Sequence, residues 1–392
     1  MQKPAAPSTP RFDGVDALRG VCILSVVLLH TWLRLTLRGR SLNPLLPRWA
    51  LFLIFRNVID AVPVFFAISG FLITYTCIRR FGSLRNIRVP SFYRIRFARI
   101  APLLLLVLAV LSILHLTYAS GFRIHAGQAT LPQALFAALT FHLNWFEATH
   151  GYLPPAWNVL WSLSVEEMFY LFFPLLCMLF LRSRSGRVLF ALLLGTLIVI
   201  GPFARQVWSA GNELWREESY LGGTDCIALG CMTALLLAWC QRRGRQPSER
   251  TLLAIVWAGV GIILALIWPW HTAWRRPLGQ SGTWNTVMIL AVCAVLFGTV
   301  LRNRAGRPWS APIRWFGRHS YEIYMTHEFV VVWMTALCLR YGRTSGPALL
   351  VWAFAMAALS APVGWLTAKY VSEPMNRRLR GAMPPQPAPR LS

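Results

Sequence analysis

About ten stretches of this sequence, most of them close to twenty residues long, are apolar with very few charges. About twenty apolar residues in a row are what a helix needs to cross the hydrocarbon core of a bilayer. Spans are expected at roughly 17–37, 51–77, 97–119, 158–181, 188–205, 220–240, 251–270, 285–301, 319–339 and 347–368. The expected fold class is therefore all-α: a polytopic integral membrane protein with about ten transmembrane helices. With 56% hydrophobic residues, 14% charged residues and a mean hydropathy of +0.50, the composition does not fit a soluble globular protein.

The net charge of +25 would point to nucleic acid in a soluble chain, but here the arginines lie between the apolar stretches. Their placement reads first as topology. If the N-terminus is inside, 26 basic residues fall on the cytoplasmic side, 11 outside and two, Arg19 and Arg56, within spans. Both ends are therefore expected to be cytoplasmic. Residues 132–147 are apolar enough for an eleventh crossing, yet a crossing there would put every later basic loop outside. They are read as an external or re-entrant amphipathic helix within the larger external segment 120–157. The domain reading is a cytoplasmic tail at 1–15, a membrane domain at 16–370 and a cytoplasmic tail at 371–392, with the first apolar run a retained helix and not a signal peptide. The eight cysteines stand singly in or beside apolar segments with no metal-ligand spacing, so neither disulfides nor a structural metal is expected.

Against this background, ionisable residues inside spans mark function by default, because they are costly in lipid. Asp16, Arg19 and His30 share the first span. Arg19 and His30 are eleven residues apart, close to three helical turns, so they share a face about 16 Å apart along the axis. A cation near the membrane surface and an imidazole deeper in would suit an anionic carrier that binds at the edge with its reactive end reaching inward. Arg96 and Arg99 project from one face at the start of the third span. Glu166 and Glu167 are adjacent and about 100° apart around a helix, so they cannot both face one pocket squarely. Tyr324, His327 and Glu328 share another helical face. Asn144 and Trp145 in the external segment offer the amide and aromatic groups that suit carbohydrate. Ser69 and Gly70 read as small residues for helix packing, and Arg56 with Asp60 as an internal ion pair. Asp225 is a further charge inside a span.

Five motifs in order resemble the membrane acyltransferase family 3: Asp16-Ala-Leu-Arg-Gly20 with His30; Val64-Phe-Phe-Ala-Ile-Ser-Gly-Phe71; Tyr93-Arg-Ile-Arg-Phe-Ala-Arg-Ile-Ala-Pro102; Trp161-Ser-Leu-Ser-Val-Glu-Glu-Met-Phe-Tyr170; and Ser320-Tyr-Glu-Ile-Tyr-Met-Thr-His327. The resemblance runs from about residue 12 to 380. It implies a bacterial inner-membrane enzyme that moves an acyl group, most often acetyl, from cytoplasmic acyl-CoA to a hydroxyl of a carbohydrate or glycosylated product. Some relatives carry a further extracytoplasmic domain after the spans, which is not expected in a chain ending at Ser392. The sequence departs from the family pattern at Val62-Pro63, where many relatives have a small polar or acidic residue. It departs again at Glu328, where an apolar residue commonly follows the histidine.

On this resemblance, acyl-CoA (acetyl-CoA foremost) is a co-substrate and no bound cofactor or metal is expected. Arg96 and Arg99, with Arg19, are the residues expected to hold its phosphates. His30 is expected as the base for the acceptor hydroxyl, either by direct transfer or by relaying the acyl group. Glu166 and Glu167 are expected in catalytic roles, with His327, Tyr324, Asn144 and Trp145 toward the acceptor. The expected partners are acyl-CoA, a carbohydrate or glycosylated acceptor, the bilayer and glycan-assembly proteins, with no nucleic acid. Two other readings stay open: a proton-coupled transporter, since such carriers also use intramembrane His, Asp, Glu and Arg, and a flippase or scaffold for a glycan machine.

Overall fold

The computed structural model describes residues 12–43, 45–56, 61–209, 211–268, 272–342 and 346–380. The expected Arg56–Asp60 pair falls outside the described side chains. Ten helical segments are long and apolar enough to cross a membrane, and no strand occurs among the described residues. In chain order the first helices are α1 (Asp13–Leu37), α2 (Ala61–Phe81), α3 (Val89–Leu116), α4 (Leu131–Leu139), α5 (Leu143–His150), α6 (Trp161–Phe180) and α7 (Arg184–Phe203). They are followed by α8 (Tyr220–Arg242), α9 (Glu249–Ile267), α10 (Trp284–Arg302), α11 (Ala311–Arg318), α12 (Ser320–Tyr341), α13 (Pro347–Thr367) and α14 (Glu373–Arg380). Leu105, Ile113, Leu179, Val199, Trp257 and Val351 are among the apolar side chains that point outward from the spans. Such a surface is stable against lipid tails and not against water. All eight cysteines are buried free thiols.

Small residues let the central helices meet backbone to backbone, the main route to tight packing where no hydrophobic drive acts between helices. The contacts are reciprocal. A Cβ on Gly70 of α2 would strike the Ile227 carbonyl of α8, and one on Gly230 of α8 would strike the Ala67 carbonyl of α2. Likewise, a Cβ on Gly20 of α1 would strike Ile313, and one on Gly317 of α11 would strike Asp16. Gly70→Ala is therefore expected to force α2 and α8 apart, at about 1–3 kcal/mol for an overpacked site. A melt in detergent should show a lower Tm, while a substitution at Gly195, whose Cβ position is open, should not.

Proline lies inside four of the spanning helices, as Pro102, Pro174, Pro202 and Pro362. After two of them the chain takes a wider π-helical turn, Ala204–Trp208 after Pro202 and Ala368–Ser372 after Pro362. Such turns re-aim the residues that follow. The first places Arg205 on Asp225, with Nη1–Oδ1 at 2.9 Å and Nη2–Oδ2 at 2.7 Å, while Thr286 Oγ1 donates to Oδ2 at 2.5 Å. This accounts for Asp225 as one member of a buried ion pair joining three helices. The second leads into α14, so residues 373–380, expected as part of a tail, instead form a helix packed against α3.

The segment 132–147, expected as one amphipathic helix, is two. Both are too short to cross a bilayer. The break comes at Phe141, whose φ of 57° lies in the left-handed region, and α4 is closed at its start by a capping box between Thr130 and Gln133. Glu147 of α5 is fully buried; its Oε1 accepts from Leu153 N at 2.9 Å and its Oε2 from Asn158 Nδ2 at 3.1 Å. The same Nδ2 donates to Glu218 Oε1 at 3.3 Å. Burial raises the Glu147 carboxyl to about 8 from an ordinary 4.5. A carboxyl whose folded pKa is raised stabilises the fold below its unfolded pKa, and that contribution fades as the pH climbs through the folded one. Amide protection over residues 119–158, taken relative to the intrinsic base-catalysed exchange rate, is therefore expected to fall between about pH 4.5 and pH 8. Glu147→Gln should flatten that dependence.

Candidate active site

A cavity of about 500 Å³ opens among α1, α2, α3, α6, α12 and the C-terminal turns. Its wall includes Arg19, Arg96, Arg99, Glu166 and Tyr324, five of the residues singled out from sequence. Arg96 is held on two sides: its Nη2 lies 2.8 Å from Glu167 Oε1, and its guanidinium sits 3.8 Å above the Tyr170 ring. Arg99, one turn further along α3, makes no ion pair among the described residues. Arg19 donates to Ser320 Oγ at 2.8 Å, which ties the first span to the start of α12.

The two adjacent glutamates divide as their angular separation requires. Glu166 lines the cavity beside Ser69, and Glu167 turns to Arg96. Gly70 serves packing, but its neighbour Ser69 faces the cavity and is hydrogen-bonded to the Tyr170 hydroxyl. At the deep end Tyr324 reaches across to α6, its hydroxyl 2.7 Å from Ser162 Oγ and donating to the Val159 carbonyl at 3.0 Å.

His30 and His327 stand just beyond that end. The Tyr324 and His327 ring centroids are 5.8 Å apart, and His327 stacks on His30 at 5.0 Å. His327 Nδ1 faces the carbonyls of Tyr324 at 2.7 Å and Ile323 at 3.2 Å. Carbonyls only accept, so Nδ1 carries the hydrogen and Nε2 the lone pair. His30 Nδ1 stands 2.8 Å from that Nε2 and 2.8 Å from Glu328 Oε1. Both neighbours are acceptors, so His30 also carries its hydrogen on Nδ1, leaving the Nε2 lone pair available as a base. Arg34, one turn past His30, donates to both oxygens of Glu328, at 3.1 and 3.3 Å, and balances the buried carboxylate. His30 keeps 20% of its side chain exposed, against 1% for Glu328.

Ligand atoms of His30, His327 and Glu328 lie within 4.8 Å of one another, close enough to share a metal ion. With Arg34 on both carboxylate oxygens, the same set is charge-balanced as a hydrogen-bonded network. The remaining two residues chosen from sequence are placed elsewhere. Asn144 is fully buried and donates to the Glu218 carbonyl at 3.0 Å, and Trp145 is 51% exposed on α5; neither lines the cavity. Sequence reasoning passed over Arg34 and gave Ser162 no role. The signal for Arg34 was its spacing, since four residues after His30 on one helix puts it on the same face.

The cavity thus carries arginines on its wall, and the His30–His327–Glu328 cluster stands beyond its Tyr324 end. The family model described as acyltransferase domain matches residues 12–369. The chain belongs to this acyltransferase family. Among its relatives, the peptidoglycan O-acetyltransferase OatA of Listeria monocytogenes is 22% identical over 348 residues, covering 86% of this chain and 52% of the relative. The putative peptidoglycan O-acetyltransferase YrhL of Bacillus subtilis is 26% identical over 341 residues, covering 82% of this chain and 49% of the relative. The O-acetyltransferase OatA of Staphylococcus aureus is 22% identical over 361 residues, covering 84% and 52%. The chain thus spans about half the length of these relatives. No solved structure matches it.

Proposed function

We propose that this chain is a multi-pass O-acyltransferase of a bacterial inner membrane, with both ends cytoplasmic, that moves acetyl from acetyl-CoA to a hydroxyl of a cell-envelope glycan. The observation that carries the reading is His30 with its Nδ1 hydrogen held by His327 and Glu328, beside a cavity lined by arginines. The family match and the names of the relatives support acetyl transfer, and peptidoglycan is the first acceptor to test.

In this reading the donor phosphates lie against Arg96 and Arg99, and the pantetheine arm runs inward past Glu166 to the Ser162–Tyr324 end. His30 Nε2 takes the proton of the acceptor hydroxyl as its oxygen attacks the thioester carbonyl carbon. The C–S bond then breaks, and the proton on the imidazolium passes to the departing CoA thiolate. Glu328 stabilises the imidazolium between these steps, and Arg34 keeps Glu328 in place.

The test is release of CoA from acetyl-CoA by the protein in liposomes, with a glycan extract as acceptor. Acceptor-stimulated release supports the reading, and uptake of glycan without thioester cleavage would replace it with transport. Arg99→Ala is expected to raise the apparent KM for acetyl-CoA about 10- to 100-fold, the worth of a charge-assisted hydrogen bond to phosphate, and to leave the KM for the acceptor near its original value. A shift confined to the acceptor would move the donor site elsewhere.

A further inference from the structure

Among the described residues one place brings three potential metal ligands together, and it is the cluster around the base. His30 Nδ1 lies 2.8 Å from His327 Nε2 and 2.8 Å from Glu328 Oε1, and all three atoms fall within 4.8 Å of one another. A tetrahedral zinc with bonds of about 2.0–2.1 Å sets its ligand atoms about 3.3 Å apart, a spacing that those edges bracket. The surroundings also fit ligands. An imidazole that binds metal gives its other N–H to a carbonyl or carboxylate, and a ligating carboxylate is itself hydrogen-bonded. His327 Nδ1 is committed to the carbonyls of Tyr324 and Ile323, so its Nε2 lone pair points into the cluster. Glu328 is steadied by Arg34 on both oxygens, and each carboxylate oxygen keeps a second lone pair. Two ligands of the three are thus ready, and only the hydrogen on His30 Nδ1 stands between them.

We propose that His30, His327 and Glu328 form an inhibitory site for a divalent ion of the zinc class. The metal takes the place of the hydrogen that His30 Nδ1 now shares with its two neighbours. Bonds form to His30 Nδ1, His327 Nε2 and Glu328 Oε1, and a water completes four-coordination. The hydrogen on Nδ1 leaves to water and another joins Nε2 from water, so His30 stays neutral and changes tautomer. The Nε2 lone pair that accepts the hydroxyl proton is then blocked, while the arginines of the cavity wall are untouched. Arg34 tunes which ion can enter. A cation beside Glu328 opposes a second one, so the site favours an ion that bonds strongly to imidazole over Mg²⁺, which takes oxygen ligands and keeps its waters. The one-fifth exposure of the His30 side chain gives the ion its way in. Inhibition rests on the reading of His30 as the base, whereas metal binding does not.

The experiment uses the full chain in liposomes, prepared without a histidine tag, with Zn²⁺ binding followed by calorimetry and activity by transfer of labelled acetyl. One Zn²⁺ per chain is expected, with kcat falling as the site fills, the KM for acetyl-CoA changed far less, and activity restored by a chelator. His30→Ala and Glu328→Gln should each weaken Zn²⁺ binding by at least about 10- to 100-fold, the cost of losing even a hydrogen-bonding partner of a ligand. His125→Ala, a change at an exposed histidine, should leave affinity and inhibition as they were, and Mg²⁺ should not inhibit. Zn²⁺ binding of equal strength in both cluster variants would place the ion on exposed histidines and overturn the proposal, with the acyltransferase reading intact. A raised KM for acetyl-CoA at unchanged kcat would overturn it too, since the metal would then act on the donor. Binding that needs His30 and Glu328, with no acetyl transfer under any condition, would keep the metal site and remove the acyltransferase reading. Should Glu328→Gln not reach the membrane folded, His327→Ala provides the same comparison.

Discussion

Replacing His30 by alanine is expected to lower acyl transfer by at least 10²–10⁴-fold, the usual contribution of a positioned general base, while the protein still inserts and folds. The imidazole is one-fifth exposed and its ring stacks on His327, so its removal costs packing on one side only. The measurement is acceptor-dependent CoA release at saturating acetyl-CoA, with insertion checked by detergent extraction and size exclusion. Turnover within a few fold of wild type would show that some other group takes the proton. A loss seen only at low donor concentration would instead move His30 into donor binding.

The second large effect is expected at Glu328. Its carboxylate accepts from His30 Nδ1 and from two nitrogens of Arg34, so it fixes the tautomer that leaves Nε2 as the base and stabilises the charge that appears there. In a triad of this logic, loss of the carboxylate costs about 10⁴-fold in turnover. Glu328→Gln keeps the volume but removes the charge, leaving the partly buried Arg34 without its counter-ion. A fall of about 10²–10⁴-fold in kcat is expected, with the KM for acetyl-CoA changed far less. Arg34→Gln in the Glu328→Gln background should recover stability, since two neutral amides replace one stranded cation, and should not recover rate. If that double variant regained the rate, the pair would be structural, and the orientation of His30 would have another source.

Much of the architecture was readable because its causes are local. Apolar length set the spans, and the 100° between neighbouring helical residues meant that Glu166 and Glu167 would divide. Arg96 and Arg99 followed from their three-residue spacing, and both are found in the cavity wall. Pairings across the fold were not readable. His30 meets His327 over 297 residues of sequence and Arg34 meets Glu328 over 294, and nothing in either segment alone names the other. Glu328, marked in the sequence by the face it shares with Tyr324 and His327 and by its departure from the family pattern, meets its partners on two positions of α1. The break within segment 132–147 was missed for a different reason. The segment's apolar pattern is continuous through Phe141, and an aromatic residue gives no warning of a left-handed backbone. Asn144 and Trp145 looked alike as candidates for sugar binding, but as neighbours on α5 one turns to the interior and the other to the surface.

The burial of all eight cysteines makes the unmodified chain its own background for thiol labelling. A thiol reacts as the thiolate, a form that apolar burial suppresses and that a water-borne reagent cannot reach. A cysteine introduced at an exposed position such as Arg243 or Tyr152 would then be the residue that a membrane-impermeant maleimide finds. The side of the membrane that each loop faces, and the protection of the cavity mouth when a donor is bound, could both be followed in otherwise native protein, with none of its buried thiols replaced.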